Sequence, residues 1–217
     1  MTSPDGSFPA GTARARATRL PRGARRRQLI DTAGTVFVDQ GFHAAGMDDI
    51  AVLAGVSKPV LYQHFVSKQD LYLQVLRHHV DKLLEQIRAA LTSTSDNRRR
   101  VEAAVDTFFA YADNDTRGFR LVFASEPGDE NVRRELDRAT QGCTDAVHDL
   151  VRGDSGLDAE RSRLLAVGLV GASRVSAGYW LDAGRPIPRE DAVAMTVALC
   201  WGGLSKIPRQ HSERPDA

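Results

Sequence analysis

The side chains best suited to chemistry lie close together in residues 57–68, SKPVLYQHFVSK. If residues 58–65 form a helix that buries Leu61 and Phe65, the remaining side chains face solvent and present ammonium, phenol, amide and imidazole groups. Such groups hydrogen-bond base edges and phosphates when a short helix enters the major groove of DNA, and a valine suits the methyl group of thymine. The candidate DNA-binding residues in this run are Ser57, Lys58, Pro59, Val60, Tyr62, Gln63, His64 and Lys68.

Two short helices joined by a tight turn would place these side chains on one surface. Residues 48–54 predict the first helix, with Ile50 and Leu53 on its buried face. Gly55 predicts a turn residue with positive φ, which glycine adopts without steric cost. Ser57 is a good N-cap for the second helix, because its hydroxyl can accept a hydrogen bond from a backbone N–H of the first turn. The pattern indicates a helix-turn-helix.

A long helix is predicted behind this unit, over residues 68–91. Ser67 predicts its N-cap, and Lys68 in its first turn makes that helix end a candidate phosphate site. Apolar residues recur every three or four positions and predict one buried stripe, made of Tyr72, Leu76, Val80, Leu83, Ile87 and Leu91. The stripe predicts that this helix connects the DNA-binding head to the rest of the chain.

The N-terminal residues are strongly basic, although the 217-residue chain carries a net charge of only +1. Residues 1–30 contain seven arginines and one acid, which predicts a positive arm that follows DNA phosphates. The first helix is predicted over residues 23–40 and ends at Gly41. Its start would bring Arg25, Arg26 and Arg27 to the DNA backbone. Residues 1–19 are predicted to be disordered.

Composition and motifs exclude several classes of protein. Hydrophobic residues make up 42% of the chain and charged residues 26%, as in ordinary globular proteins. Cys143 and Cys200 form no CxxC or Cys/His pattern, so neither a disulfide nor a metal site is expected. The absence of a signal-peptide pattern and of a continuous apolar run predicts a cytoplasmic protein with no membrane partner. No nucleophile elbow, Walker loop, HExxH or dinucleotide motif is present, so an enzyme is not expected.

Helical periodicity continues beyond a loop at residues 92–97. The further helices are predicted at 98–112, 117–125, 130–152, 158–181 and 189–204. No strand-like alternation competes with them, so the predicted fold class is all-α.

Four motifs in the first third of the chain resemble the TetR family of bacterial regulators. They are AGTVFVDQGF (33–42), IAVLAGVS (50–57), LYQHF (61–65) and SKQDL (67–71). The resemblance implies a helix-turn-helix DNA-binding domain at 20–67 and an effector-binding and dimerisation domain at 68–208, flanked by the arm at 1–19 and a flexible tail at 209–217. Many family members have a phosphate-binding Thr where this chain has Met47, so that contact is not expected here.

Over a longer part of the sequence, from Leu20 to Pro208, the chain resembles TetR-family regulators of fatty acid synthesis in actinobacteria. The resemblance is carried by GFHAAGMDDIA, DSGLDAERSRLLAVGLVG and YWLDAGRPI, among other stretches. It implies a regulator of lipid-synthesis genes, an activator in that group, whose effector is a long-chain acyl-CoA and which needs no cofactor. The alternative is a repressor of an efflux or catabolic operon that responds to a small aromatic or hydrophobic compound.

The last two predicted helices contain many small residues, which weaken a helix unless another helix approaches closely. In the TetR family these helices pair with their copies, and a helix-turn-helix dimer reads the two half-sites of a palindromic operator in double-stranded DNA. A homodimer is therefore predicted. Its expected interface residues are Gly168, Gly171, Val175, Gly178, Val197 and Trp201.

Aromatic residues concentrate in the helices behind the head, and the resemblance implies an effector cavity among them. A hydrophobic small molecule or lipid is the predicted effector. The expected ligand-binding residues are Leu76, Phe108, Phe109, Tyr111, Phe119, Phe123, Arg174, Tyr179 and Trp180. Arg174, Arg117 and Arg120 are candidates for contact with a charged CoA head.

Overall fold

The protein was analysed as a computed structural model that describes residues 20–124 and 129–204. Within these ranges the regular structure is entirely helical, which confirms the predicted all-α class. The predicted arm at 1–19, the end of the sixth helix at residue 125 and the tail at 209–217 lie outside the described residues. The helices are α1 (Arg22–Ala44), α2 (Met47–Leu53), α3 (Lys58–His64), α4 (Lys68–Thr92), α5 (Asn97–Asn114), α6 (Thr116–Phe123), α7 (Glu130–Ser155), α8 (Ala159–Asp182) and α9 (Arg189–Leu204).

Helices α1 to α3 form the head, and α2 and α3 lie within one residue of their predicted bounds. Gly55 has a φ of 66° in the turn between them, as predicted. Two predicted details are wrong. Leu53 is 60% exposed, because it lies at the end of α2 on the side away from the core. Ser57 occupies the N-cap position, but its side chain makes no capping hydrogen bond.

Helix α1 bends at Gly41 and does not end there. Gly41 has a φ of 76°, which confirms the left-handed glycine, yet one more helical turn follows, up to Ala44. Phe42 in this turn packs against Tyr72 of α4, with ring centroids 5.0 Å apart. The bend therefore fastens the end of α1 to the start of α4.

Buried side chains form two cores that α4, α6 and α7 connect; on α7, Val132 lies in the head core and Ala139 in the body core. On α4 the predicted stripe is buried along its whole length, with Leu76 in the head core and Val80 already in the body core. On α6, Leu121 lies in the head core, whereas Phe119 and Val122 lie in the body core. A change in the body can therefore reach the head through three helices.

The body consists of α5, α7, α8 and α9 packed around the second half of α4. Helix α7 lies between α4 and α8, and α5 contacts α4, α8 and α9. Cys143 and Cys200 are buried in the body as free thiols. Burial raises the pKa of the Cys143 thiol to about 12. Among the described residues, no group of three His, Cys, Asp or Glu side chains is arranged to hold a metal ion.

Helix α8 is long and apolar enough to cross a membrane by length and composition alone, with a mean hydropathy of 1.3 over its most apolar window. The sequence-based expectation overlooked this window. Only 33% of it is buried, on the side that packs against the rest of the body. The other side of α8 is therefore an apolar surface exposed to solvent.

Candidate nucleic-acid interface and effector site

Helix α3 presents the predicted DNA-binding side chains on its outer face. Leu61 is fully buried and anchors the helix on the head core, as does Phe65 at its C-cap. Lys58, Pro59 and Gln63 are exposed, Tyr62 is 42% exposed, and Val60 and His64 are partly exposed. With Ser57 at the helix start, this face offers hydrogen-bonding groups of several kinds. A short exposed helix of this type fits the major groove of DNA.

Lys58 is held by an acidic residue of the neighbouring helix. Its Nζ donates a hydrogen bond to Oδ2 of Asp48 in α2 at 2.9 Å. This bond and the charge of Asp48 raise the pKa of Lys58. The lysine is therefore firmly charged, and a DNA phosphate would have to compete with Asp48 for it.

The three consecutive arginines near the start of α1, Arg25 to Arg27, have different surroundings. Arg25 donates to the side chain of Gln28 at 2.7 Å. Arg26 donates to the carbonyl of His64 at 2.8 Å and lies over the Phe65 ring, 4.4 Å from its centroid. Arg27 is exposed. Arg26 thus joins α1 to the end of α3, whereas the Arg27 side chain faces solvent.

His64 lies where α3 meets this arginine cluster. Partial burial, followed by the positive charges of Arg22, Arg26 and Arg25, lowers its pKa. The imidazole of the free protein is therefore neutral near pH 7. A neutral imidazole can donate one hydrogen bond and accept another.

Lys68 is directed toward the protein in the structure. Its Nζ donates to the carbonyls of His43 and Ala45, at 3.0 and 2.9 Å, and lies 4.8 Å from the centroid of the Phe42 ring. It therefore caps the bent end of α1, and a phosphate contact would add to that role. Met47 is 8% exposed and belongs to the head core, so it offers no polar group to the backbone.

A cavity of about 310 Å³ lies in the body between α5, α7, α8 and α9. Its wall is mainly aliphatic, with polar groups from Asn97, Asp154, Ser155 and Ser173. Arg100 donates to Asp154 at 2.8 Å and so neutralises a carboxylate of the wall. The remaining lining residues are Leu91, Val101, Ala104, Val105, Phe108, Val147, Leu150, Val151, Leu157, Leu165, Leu169, Val170 and Trp201.

Most of the predicted ligand-binding residues lie elsewhere. Of that set, only Phe108 lines the cavity. Leu76 is packed in the head core. Tyr179 is 71% exposed on the outer side of α8, so its predicted place in the cavity is wrong. Phe109 packs edge-to-face on Trp180, whose indole Nε1 donates to the carbonyl of Ile187.

The other predicted ligand residues surround α6, at the end of the body nearest the head. Phe119 packs against Phe123 and Tyr111, with centroids 5.0 and 6.2 Å apart. The guanidinium of Arg174 lies 5.6 Å from the centre of the Phe123 ring, and its buried Nε has no hydrogen-bond partner among the residues that the structure describes. Burial raises the pKa of the Tyr111 phenol, which keeps it neutral. These residues form a packed aromatic group, separate from the cavity.

The outer sides of α8 and α9 form an apolar surface, here called the outer face. Its large exposed side chains are Leu164, Val167, Val175, Tyr179, Met195 and Leu199. A Cβ added at Gly168 or Gly171 of α8 would meet no atom of the described residues within 4 Å. Glycine weakens a helix, and no described neighbour requires it at these positions, so the glycines suit the close approach of a second helix.

Three predicted interface residues point inward. A Cβ at Gly178 would contact the Phe119 ring of the same subunit at 3.7 Å. Val197 is 6% exposed in the body core, and Trp201 lines the cavity. The sequence argument missed Leu164, Val167, Met195 and Leu199, because apolar residues occur all round α8 and α9 and periodicity cannot tell a buried side from an exposed one.

Both parts of the chain match known families. Residues 29–75 match the model for bacterial regulatory proteins of the tetR family, and residues 86–215 match the tetracyclin repressor-like C-terminal domain. Over 205 residues the chain is 54% identical to the HTH-type transcriptional activator FasR of Mycolicibacterium smegmatis. The match covers 94% of this chain and 93% of that protein.

Solved structures show the same architecture. A TetR-like transcriptional regulator from Rhodococcus sp. RHA1 has 26% identity and a TM-score of 0.69, over 87% of this chain and 100% of that one. FadR from Bacillus subtilis, in complex with stearoyl-CoA, has a TM-score of 0.70 at 16% identity, over 82% of this chain and 98% of that one. At such low identity the second likeness concerns the fold alone.

Proposed function

Because the chain belongs to the TetR family, and is therefore a DNA-binding transcription regulator and not an enzyme, we propose that it controls lipid-synthesis genes in response to a long-chain acyl-CoA. The observation that carries the proposal is the 54% identity to the activator FasR, which extends through the helices that form the cavity. The stearoyl-CoA complex of FadR, a protein of the same fold, supports this class of effector.

On this proposal the protein acts in the cytoplasm, on nucleoid DNA, as a homodimer joined through its outer face. The α3 helices of the two subunits would enter successive major grooves of a palindromic operator. The face of α3 would read bases, and Arg25, Arg27 and Lys58 would neutralise phosphates. Lys58 would exchange its bond to Asp48 for a phosphate when the head docks.

The effector would occupy the cavity in the body. An aliphatic wall suits an acyl chain, because apolar burial is favourable and the chain needs no hydrogen bonds. Asn97 and Asp154 mark a polar part of the wall, and Arg98 and Arg99 follow Asn97 on exposed positions of α5. The phosphates of a CoA head would find positive charge there. Binding would then bias the positions of α4 and α6, which reach the head.

The proposal is tested by DNA affinity in the presence of acyl-CoA. A fluorescent fragment from the promoter of the host's fatty acid synthase genes would be titrated with the protein, with short-, medium- and long-chain acyl-CoAs added in turn. We expect a change in affinity that grows with chain length and saturates at stoichiometric ligand. Free CoA and free fatty acids are the controls.

Either of two results would contradict it. If the protein does not bind the promoter fragment under any condition, the fatty acid synthase genes are not its targets. Binding that ignores every acyl compound but is released by small aromatic compounds favours the repressor of an efflux or catabolic operon.

A further inference from the structure

The turn between α8 and α9 contains a bulky residue in the left-handed region of backbone space. Arg185 has a φ of 60° and follows Gly184, whose φ is 75°. An L-residue with a long side chain rarely adopts this conformation, so its surroundings must compensate for the strain. The backbone N–H of Arg185 donates to the carbonyl of Trp180 at 2.9 Å, which closes the turn on the end of α8.

The guanidinium of Arg185 reaches from this turn to the joint between α5 and α6. Its Nε donates to Oδ1 of Asp113 at 2.9 Å, and its Nη2 donates to the hydroxyl of Thr116 at 3.2 Å. It also lies over the ring of Trp180, with the guanidinium carbon 5.5 Å from the ring centroid. One side chain thus connects the α8–α9 turn to the last residues of α5 and the first residue of α6.

Helix α4 holds the same joint from another side. Oδ2 of Asp115 accepts a hydrogen bond from Lys82 at 2.8 Å and lies 3.4 Å from Nδ1 of His79. Its Oδ1 accepts from the backbone N–H of Gly118 at 2.9 Å. Burial alone would raise the pKa of Asp115, but these donors hold it well below its usual range. The joint is therefore a fixed, charged point between α4 and the α8–α9 turn.

Helix α6 leaves this joint and enters the head. Leu121 is buried in the head core. Arg117 donates from Nη1 to the Thr35 hydroxyl of α1 at 3.3 Å. A shift of the joint would therefore move the contacts that α6 makes with α1.

We propose that Arg185 is a positioning residue, which transmits the arrangement of α8 and α9 to the DNA-binding head through the joint between α5 and α6. The proposal rests on the proposed function in one respect: α8 and α9 must form the subunit interface. The ion pair of Arg185 with Asp113 lies near the surface, where the two side chains are 41% and 34% exposed, and the guanidinium contacts the body core only at the Trp180 ring. Loss of the guanidinium should therefore leave the head core packed and loosen the spacing between the two heads.

The test compares Arg185→Asn with the wild-type dimer. Asparagine tolerates the left-handed backbone but lacks the guanidinium. The probes are synthetic duplexes carrying an inverted repeat selected with the wild-type protein, the same repeat with a lengthened spacer, and a single half-site. We expect the variant to lose about fivefold or more of the wild-type preference for the natural spacer. Half-site affinity and dimerisation should stay as in the wild type.

Two further experiments test whether the effect is specific to Arg185: a control substitution at an arginine of α8, and a reversal of the charges of the Arg185–Asp113 pair. Arg163→Asn is the control, because Arg163 pairs with Asp145 between α7 and α8, away from α6. It should leave the spacer preference unchanged. Arg185→Asp should weaken the preference, and adding Asp113→Arg should restore it, since the pair is then reversed in sign.

Unchanged spacer preference in Arg185→Asn overturns the proposal. So does an equal loss of half-site affinity, because Arg185 would then merely support the fold of the head. If the wild-type protein itself prefers no inverted repeat, the proposed function fails. In that case, amide hydrogen exchange in α6 tests the role of Arg185 by itself. Arg185→Asn must accelerate this exchange if Arg185 holds the joint, and an unchanged exchange rate refutes the proposal.

Discussion

The head and the body of this protein both combine an apolar core with polar contacts between helices, but they differ in how completely their apolar surfaces are packed. In the head, polar side chains reach across helices: Arg26 binds the carbonyl that ends α3, and Lys68 caps the end of α1. In the body, apolar helices enclose a cavity of about 310 Å³ and leave an apolar outer face. The head is a packed unit, whereas the body contains a cavity and an apolar surface that none of the described residues covers.

This difference indicates which properties a substitution should change. In the head, exposed residues of α3 can be altered without touching the core that carries them. In the body, the effector response is expected to depend on the cavity wall, which belongs partly to the body core. Subunit association is expected to depend on the outer face, whose exposed side chains contribute little to the fold of the single subunit. Each of the following substitutions addresses one of these surfaces.

The largest effect is expected at the outer face. Val175 is 58% exposed in the subunit, so Val175→Arg should leave the thermal stability of the single subunit nearly unchanged. At the centre of a subunit interface, an unpaired charge should weaken association by about 2 kcal/mol or more, roughly 30-fold. Sedimentation velocity measures the change. A variant that remains dimeric would place the interface elsewhere, and Val52→Arg on exposed α2 is the control that should stay dimeric.

The next effect is expected in the cavity. Ala104 lines its wall, and Ala104→Phe should fill part of the space that an acyl chain would take. We expect the concentration of long-chain acyl-CoA that changes DNA affinity to rise by about tenfold or more, with little change in DNA affinity when no effector is present. Ala103→Phe is the matched control, because Ala103 faces the groove between α5 and α9 outside the cavity. Equal responses in the two variants would argue against this cavity as the effector site.

A smaller effect is expected on α3. Tyr62→Ala removes a phenol that is 42% exposed, so the melting temperature should hardly change. Affinity for the operator should fall by about 1 kcal/mol, roughly fivefold, through the loss of a hydrogen bond and of ring contacts. Fluorescence anisotropy measures this loss. Full affinity in the variant would mean that α3 is not the recognition helix.

The smallest effect is a dependence of DNA affinity on pH. The pKa of His64 is below its usual value in the free protein, and nearby phosphates would raise it in the complex. The complex then binds more protons, so affinity should rise about two- to threefold as pH falls from about 7.5 to about 6, and lose this gain as pH rises again. His64→Asn should remove the slope, whereas His43→Asn should keep it. If the DNA affinity of His64→Asn still depends on pH, the proton is taken up by another group.

The sequence predicted the head better than the body for a physical reason. In the head, Gly55, Leu61 and Ser67 each have a local role in a turn, an anchor or a cap, and all three lie as expected. In the body, the place of Tyr179 depends on whether one side of α8 faces a partner or the core. Both sides are apolar, so spacing along the chain does not distinguish them.

The cavity shows the same limit. Its wall is aliphatic and comes from residues far apart in the chain, such as Val101, Leu150 and Leu169. Nothing in their local sequence separates them from the side chains of a filled core. Of the aromatic residues that were the expected lining, Phe108 lines the cavity and Tyr179 is exposed, whereas the others pack on one another around α6 and Trp180.

The buried thiol of Cys143 has a consequence for redox chemistry. Burial raises the pKa of this thiol to about 12, so the group stays protonated near pH 7, whereas the thiolate is the form that oxidants and alkylating reagents attack. The closed packing of the helices around it therefore protects this residue from oxidation. In a Cys200→Ala variant, the reaction of Cys143 with a thiol reagent would report local opening of α7, because Cys143 and Cys200 are the two cysteines of the chain.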